Sequence, residues 1–381
     1  MRICVIGPTY PFRGGIAHYT TLLYRALRER HEVRFIAFRR QYPKWLFPGE
    51  TDRDPSARSI VEPGAERVIS SYLPWSWFAA AWRVVMFRPR IVVIPWWVGF
   101  WAPVFWTMAM LVRILTDARI VYLCHNVVAH EAGRFDRVAT ALALATGHGF
   151  VVHSQEDCDN LRAILPLAVV RKSPHPTYEA FAESGLTRDE ARRRLEIEPG
   201  ENVILFFGFV RPYKGLDVLL KALPGVTAAE PVRLMVVGEF WKGEDETRAL
   251  IDDLGVADRV TLVNRYVPNE EVETWFAAAD VVALPYRSAT GSGICQVAFG
   301  HGRAVVATSV GCLPEVVLDG RTGLVVPPGD PAALADALIR FFRDGLRDRF
   351  EAAVVEDRDR FSWRHMVDAI EGFAGDVEDR R

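Results

Sequence analysis

Short, largely apolar runs alternate along this chain with longer stretches in which apolar positions return every three or four residues. Runs of the first kind fall at residues 2–6, 32–38, 91–94 and 120–124, with two more near Val68-Ile69 and 150–153. The pattern restarts at 203–207 and continues at 233–237, 260–263, 281–284, 304–307 and 324–326. Runs of this length and β-branched character fit parallel strands buried on both faces. Between two of them, Leu216, Leu219, Leu220 and Leu223 recur at i, i+3, i+4 and i+7, the signature of a helix with one apolar face. The expected architecture is α/β, in two βαβ arrays that each own a parallel sheet. Their join is predicted over 171–201, where Pro174 and Pro176 extend the backbone and a charged helix over 187–195 follows. The expected domains are 1–175 and 176–360, with a C-terminal helix over 361–381 packing back on the first. A length of 381 residues suits two cores better than one.

The glycine turn after the 203–207 run, Gly208-Phe209-Val210-Arg211-Pro212-Tyr213-Lys214-Gly215, carries the most chemistry. A turn between a strand and a helix start offers free N–H groups and a partial positive charge, and Arg211 and Lys214 add two cations. A solvated basic turn is the plain alternative. Two further strand ends in the same half lead into glycine turns. One is Gly291-Ser292-Gly293, opening the helix that contains Gln296; the other is Ser309-Val310-Gly311. Three such loops in one domain favour an anion site.

In the first half, Gly14-Gly15 stands between a strand and a helical pattern at Leu22, Leu23 and Leu27, without the GxGxxG spacing of a nicotinamide site. His125 closes the 120–124 strand, where open α/β sheets place ligands. His130 and Glu131 follow one turn later. The loop at 39–49, with Arg40, Tyr42, Lys44 and Trp45, has the basic and aromatic make-up of an acceptor or head-group contact. Residues 91–112 contain no charge and include Trp96, Trp97, Trp101 and Trp106. Pro95, Gly99 and Pro103 break this run, which reads as a buried strand, a turn and an apolar helix over 102–115. A tryptophan-rich face touching a bilayer and a true span stand beside that reading.

Apolar residues make up 50% and charged residues 25%, a globular composition, and the net charge of −2 argues against general nucleic-acid binding. Five scattered cysteines without a CxxC pair fit a reduced, cytoplasmic protein with no structural zinc. A strand at the very start predicts no signal peptide.

Together these motifs resemble the family 4 (group 1) glycosyltransferases of the GT-B fold. The segment strand-Gly208-x-x-Arg211-x-x-Lys214-Gly215 is similar to that family's diphosphate-binding loop. Ala304-Val305-Val306-Ala307-Thr308-x-x-Gly311-x-Leu313-Pro314-Glu315 and Asp319-Gly320-x-x-Gly323-Leu324-Val325-Val326-Pro327-Pro328-Gly329-Asp330 match as well. The resemblance implies two Rossmann-like domains facing each other across a cleft, and a retaining, metal-independent transfer from a nucleotide-diphosphate sugar, without other cofactor. The acceptor would be a glycan or lipid-linked molecule of cell-envelope or polysaccharide biosynthesis, met in the cytoplasm or on the inner face of the membrane. It implies catalytic roles for Arg211, Lys214 and His125, and donor or phosphate contacts from Gly14, Gly15, Gly208, Ser292, Gly293 and Gln296. Family members usually carry two glutamates eight positions apart; here Ala289 and Val297 stand at those positions, with Gln296 one residue away. A nucleotide-sugar-binding protein without turnover and a sugar-nucleotide epimerase are the alternatives.

Overall fold

The computed structural model describes residues 1–42, 51–57, 60–127, 134–178 and 185–375. These form two compact units, one comprising Met1–Pro55, Ser59–His175 and Ser362–Arg381, the other Ser56–Arg58 and Pro176–Phe361.

In the first unit the order is β1 (Arg2–Gly7), α1 (Gly15–Arg28), β2 (Glu32–Arg40), β3 (Ala65–Ser70), α2 (Pro74–Phe87), β4 (Ile91–Trp96), α3 (Ala102–Leu115), β5 (Arg119–Cys124), α4 (Arg134–Leu144), β6 (Gly149–Val152), α5 (Gln155–Ile164) and β7 (Val170–Lys172). The seven strands pair in the order β3-β2-β1-β4-β5-β6-β7, all parallel. β1 and β4 are buried almost throughout, as their unbroken apolar runs require. β7 is a strand that the apolar pattern does not announce, because its three residues are Val170, Arg171 and Lys172. Ser154 caps α5 by accepting the Asp157 amide at 2.9 Å.

The second unit runs α6 (Arg188–Arg194), β8 (Asn202–Phe207), α7 (Leu216–Ala229), β9 (Val232–Val237), α8 (Glu244–Asp253), β10 (Val260–Val263), α9 (Asn269–Ala278), β11 (Val281–Leu284), α10 (Gly293–Gly300), β12 (Val305–Thr308), α11 (Leu313–Val316), β13 (Gly323–Val326), α12 (Pro331–Arg343) and α13 (Arg347–Glu356). Its six strands are also parallel, in the order β10-β9-β8-β11-β12-β13. Leu216, Leu219, Leu220 and Leu223 of α7 are all buried. Each stabilises the unit by about 1.5–3 kcal/mol relative to an exposed side chain.

A last helix, α14 (Trp363–Gly375), belongs to the first unit and packs on α1, β5 and β6. Arg30 meets Asp368 at 2.6 Å and His31 meets Glu371 at 2.7 Å along that seam. The close approach leaves no side-chain room at Gly149, where a Cβ would lie 2.3 Å from the Phe373 ring.

Candidate donor site

In each sheet the strand order turns back on itself, between β1 and β4 and between β8 and β11, and ligands of open α/β sheets collect at the carboxyl ends of such strands. β8 runs out into Gly208, whose φ of 96 is in the left-handed region that favours glycine. The strand ends press together there: a Cβ on Gly238 would sit 2.1 Å from the Gly208 carbonyl oxygen. Pro212–Lys214 form a single 3₁₀ turn, and Gly215, with φ 66, caps α7. A Cβ on Gly215 would lie 2.1 Å from the Pro285 carbonyl oxygen, so the turn rests directly on the loop after β11. The Arg287 amide ties the two loops by donating to the Tyr213 carbonyl at 2.7 Å.

Lys214 points back into this seam. It is only 7% exposed, and its Nζ lies 3.2 Å from where a Gly208 Cβ would stand. That point is also 3.2 Å from Cδ1 of Ile294, in the first turn of α10. Nζ sits 5.8 Å from the centre of the Tyr286 ring. The Tyr286 hydroxyl and Ser292 Oγ are 3.2 Å apart, and Ser292 Oγ accepts the Cys295 amide at 3.2 Å to cap α10. Arg211 stacks on Trp241 at 4.8 Å and Tyr213 at 5.3 Å.

Among the described residues neither Arg211 nor Lys214 makes an ion pair with a carboxylate, although many other arginines do. Burial pushes the Lys214 ammonium down to about 8, and the neighbouring Arg211 guanidinium adds to the effect. A buried cation without a counter-charge is costly unless an anion arrives to balance it. The fold thus brings Gly208, Arg211, Lys214, Ser292 and Gly293 into one cradle whose chemistry suits a diphosphate. Gln296 follows one turn into α10, 1% exposed, with an Oε1 that accepts no hydrogen bond among the described residues. Ala289 and Val297, which carry no carboxylate, are both buried.

Gly14, Gly15 and His125 lie in the other unit. Gly14, with φ 104, is the N-cap of α1. Further along that helix, Tyr19 meets the His125 ring edge-on at 4.5 Å. His153 and His175 complete the group, 5.7 and 4.8 Å from Tyr19. Desolvation holds His125 well below the ordinary histidine range, and His153 and His175 reinforce the shift. Burial brings His153 down to about 4. His125 is therefore neutral at physiological pH, with an Nε2 shielded from solvent and without a hydrogen-bond partner among the described residues. Such a nitrogen can accept from a hydroxyl. Sequence reasoning passed over Tyr19 and His175, which reach the group only through the packing of α1 and the segment after β7. It likewise missed Trp241 and Tyr286, the ring partners of the two cations.

The acceptor-side residues fare differently. Lys44, Trp45, His130 and Glu131 lie outside the described residues. Arg40 ends β2 and donates to the Tyr72 hydroxyl. Tyr42 does not stand out on an exposed loop: it stacks on Phe100 at 5.6 Å and against Trp101 at 5.1 Å. The tryptophan-rich run is mostly core, with Trp96 and Trp101 buried and Trp106 44% exposed. Among the described residues no helix is long and apolar enough to cross a membrane, and no group of three or more His, Cys, Asp or Glu is placed to hold a metal.

Residues 201–344 match the family model described as "Glycosyl transferases group 1". A D-inositol 3-phosphate glycosyltransferase of Nocardioides sp. is 36% identical over 208 residues, 51% of this chain and 45% of that protein. The same-named protein of Mycobacteroides abscessus is 34% identical over 228 residues, 58% of this chain and 50% of its own. The chain thus spans about half the length of these curated relatives. Among solved structures, sucrose-phosphate synthase (tll1590) from Thermosynechococcus elongatus aligns over 100% of both chains with TM-score 0.77 at 19% identity. Anabaena Alr3699/HepE in complex with UDP aligns over 100% of both with TM-score 0.75 at 18% identity. At such identities the likeness speaks for the fold. Residues 201–344 are thus similar to the group 1 glycosyl transferases, and the two parallel-sheet units have the GT-B fold.

Proposed function

We propose that the chain transfers a sugar from a nucleotide-diphosphate sugar, with retention at the anomeric carbon and without a metal. The acceptor is a glycan or lipid-linked molecule of cell-envelope or polysaccharide biosynthesis, at the cytoplasmic face of a membrane. The observation that carries this reading is the pair Arg211 and Lys214, without a carboxylate partner among the described residues and held in a glycine cradle beside the starts of α7 and α10. These cations neutralise the charge that grows on the departing diphosphate as the glycosidic bond breaks. Ser292 and Gly293 offer the N–H groups at the start of α10 to the same anion, and Gly14 and Gly15 at the start of α1 are proposed as phosphate contacts of the first unit. Gln296, whose buried Oε1 has no hydrogen-bond partner among the described residues, takes a ribose hydroxyl. Neutral His125 orients a hydroxyl of the donor sugar or acceptor. The departing phosphate accepts the acceptor's proton, so the step goes forward with Ala289 and Val297 in the glutamate positions. The UDP bound by the Anabaena protein supports a uridine diphosphate donor as the first to test. The relatives' name favours a second acceptor, a polyol phosphate.

The test is a thermal-shift panel of nucleoside diphosphates and their sugars, followed by product analysis with and without acceptor. Stabilisation by one diphosphate family together with acceptor-dependent transfer is the expected result. Binding without turnover across acceptors would make this a sensor, and a changed sugar nucleotide without acceptor an epimerase.

The pH dependence of diphosphate binding follows from Lys214. Its value in the empty site is about 8, and a bound diphosphate raises it. Above pH 8 each binding event must take up a proton. The Kd measured by calorimetry should therefore be flat below about pH 7 and rise towards tenfold per pH unit above pH 8. A flat profile to pH 10 would remove Lys214 from the anion site.

A further inference from the structure

Helix α2 is bare along one side. Trp75, Phe78, Trp82 and Met86 are 67%, 52%, 59% and 62% exposed. Their spacing of three, four and four residues aligns them on one face. The opposite face, with Ser76, Ala80, Ala81 and Val84, is buried where α2 packs on β3 and α3. The neighbouring α3 adds Trp106, 44% exposed, and Ile114, 71% exposed. Scattered exposed apolar residues are ordinary in a folded protein; three aromatic side chains and a methionine in line on one helix mark an interaction surface.

Charge narrows the partner. Residues 67–116 contain no Asp or Glu but five arginines, in a chain of 48 acidic and 46 basic residues. Arg83 pairs with Glu66 at 3.4 Å. Arg40, beside Tyr72 just before α2, and Arg88, the exposed C-cap residue of α2, have no carboxylate partner among the described residues. A cation therefore stands at either end of the aromatic stripe. A second copy of this chain is a poor occupant, because a two-fold contact would set this arginine-flanked face against itself. An anionic bilayer surface suits both features: tryptophan and phenylalanine settle at the boundary between head groups and acyl chains, and arginine binds lipid phosphate.

We propose that α2 is a membrane-docking helix. It lies flat in an anionic leaflet with Trp75, Phe78, Trp82 and Met86 in the acyl boundary and Arg40 and Arg88 on lipid phosphates. This surface belongs to the first unit and the donor cradle to the second, and docking does not depend on sugar transfer.

The experiment is co-sedimentation of the full chain with vesicles of equal parts phosphatidylglycerol and phosphatidylcholine, against phosphatidylcholine alone. The chain should pellet with the mixed vesicles, bind the neutral ones far less, and lose binding at high salt. Brominated acyl chains should quench its tryptophan fluorescence. Phe78→Glu with Trp82→Glu should cut the bound fraction at least about tenfold while thermal midpoint and circular dichroism stay as in the parent. Parent protein left in the supernatant, or bound without quenching, overturns the proposal. So does a double variant that binds as well as the parent, or a dimer in solution that the double substitution separates.

Discussion

Lys214→Met is expected to lower sugar transfer at least about a hundredfold and to abolish the thermal shift produced by a nucleoside diphosphate, yet to leave the empty protein as stable as before or more so. The two halves of this result have one cause. The folded chain encloses an ammonium with no carboxylate beside it among the described residues. Its value lies below the ordinary 10.5, so between pH 8 and 10.5 the unfolded chain holds the extra proton and the folded state gains stability as pH rises. At neutral pH the penalty for keeping Lys214 charged is roughly 3 kcal/mol by the same shift. Methionine fills much of the same space without that penalty. What it cannot do is meet a diphosphate, and removing one preorganised group from such a site costs roughly 10²–10³ in rate. Arg211→Ala should show a comparable rate loss without the gain in stability, since Arg211 is partly exposed on the Trp241 ring. Parent-like kcat/KM in either variant would take the reaction away from this cradle.

Asp280→Ala should have the opposite profile, a large loss of stability from a residue remote from the cradle's cations. Asp280 is 2% exposed and precedes β11. Its Oδ2 accepts from Arg192 Nη2 at 2.5 Å and from the Val203 amide at 2.7 Å. Its Oδ1 accepts from Arg347 Nη1 at 3.2 Å and from Arg188. One carboxylate thus joins α6, β8, β11 and α13. Removing it strands Arg192, itself only 8% exposed, and breaking a buried pair from one side typically costs about 3–5 kcal/mol. Denaturant midpoints measure this directly. Asp280→Asn should fall between parent and alanine variant, because its amide oxygen still serves the Val203 N–H. A midpoint within about 1 kcal/mol of the parent for the alanine variant would show that the arginines find other partners.

Much of the donor unit was legible residue by residue. The run at 203–207, the glycines at 208 and 215, and the leucine period after them each report a local constraint: burial on both faces, a backbone angle, one apolar stripe. Local constraints survive in sequence because each element must satisfy them wherever it lies. The resemblance to group 1 enzymes rested on the same residues, and residues 201–344 match that family. The buried setting of Lys214 was not legible, since it depends on Tyr286 and Ile294, more than seventy positions away, closing over it.

The apolar segments of the first unit were the hardest to read. The tryptophan-rich run reads as core with a membrane contact as the lesser alternative, and Trp96 and Trp101 are core. The aromatic face that is exposed belongs to α2, a helix the apolar pattern left unassigned. A helix apolar on nearly every side carries no periodic sign of which side is covered.

The sequence by itself determined the two parallel-sheet arrays, the strand-end loops and the identity of the cations, because pattern, glycine placement and charge act over a few residues. Only the tertiary structure decided that Lys214 is enclosed with no carboxylate partner among the described residues, that three histidines gather around Tyr19, and that α2 turns its tryptophans outward. Those properties depend on which distant surfaces meet, and burial and desolvation are set by that meeting rather than by neighbours in the chain.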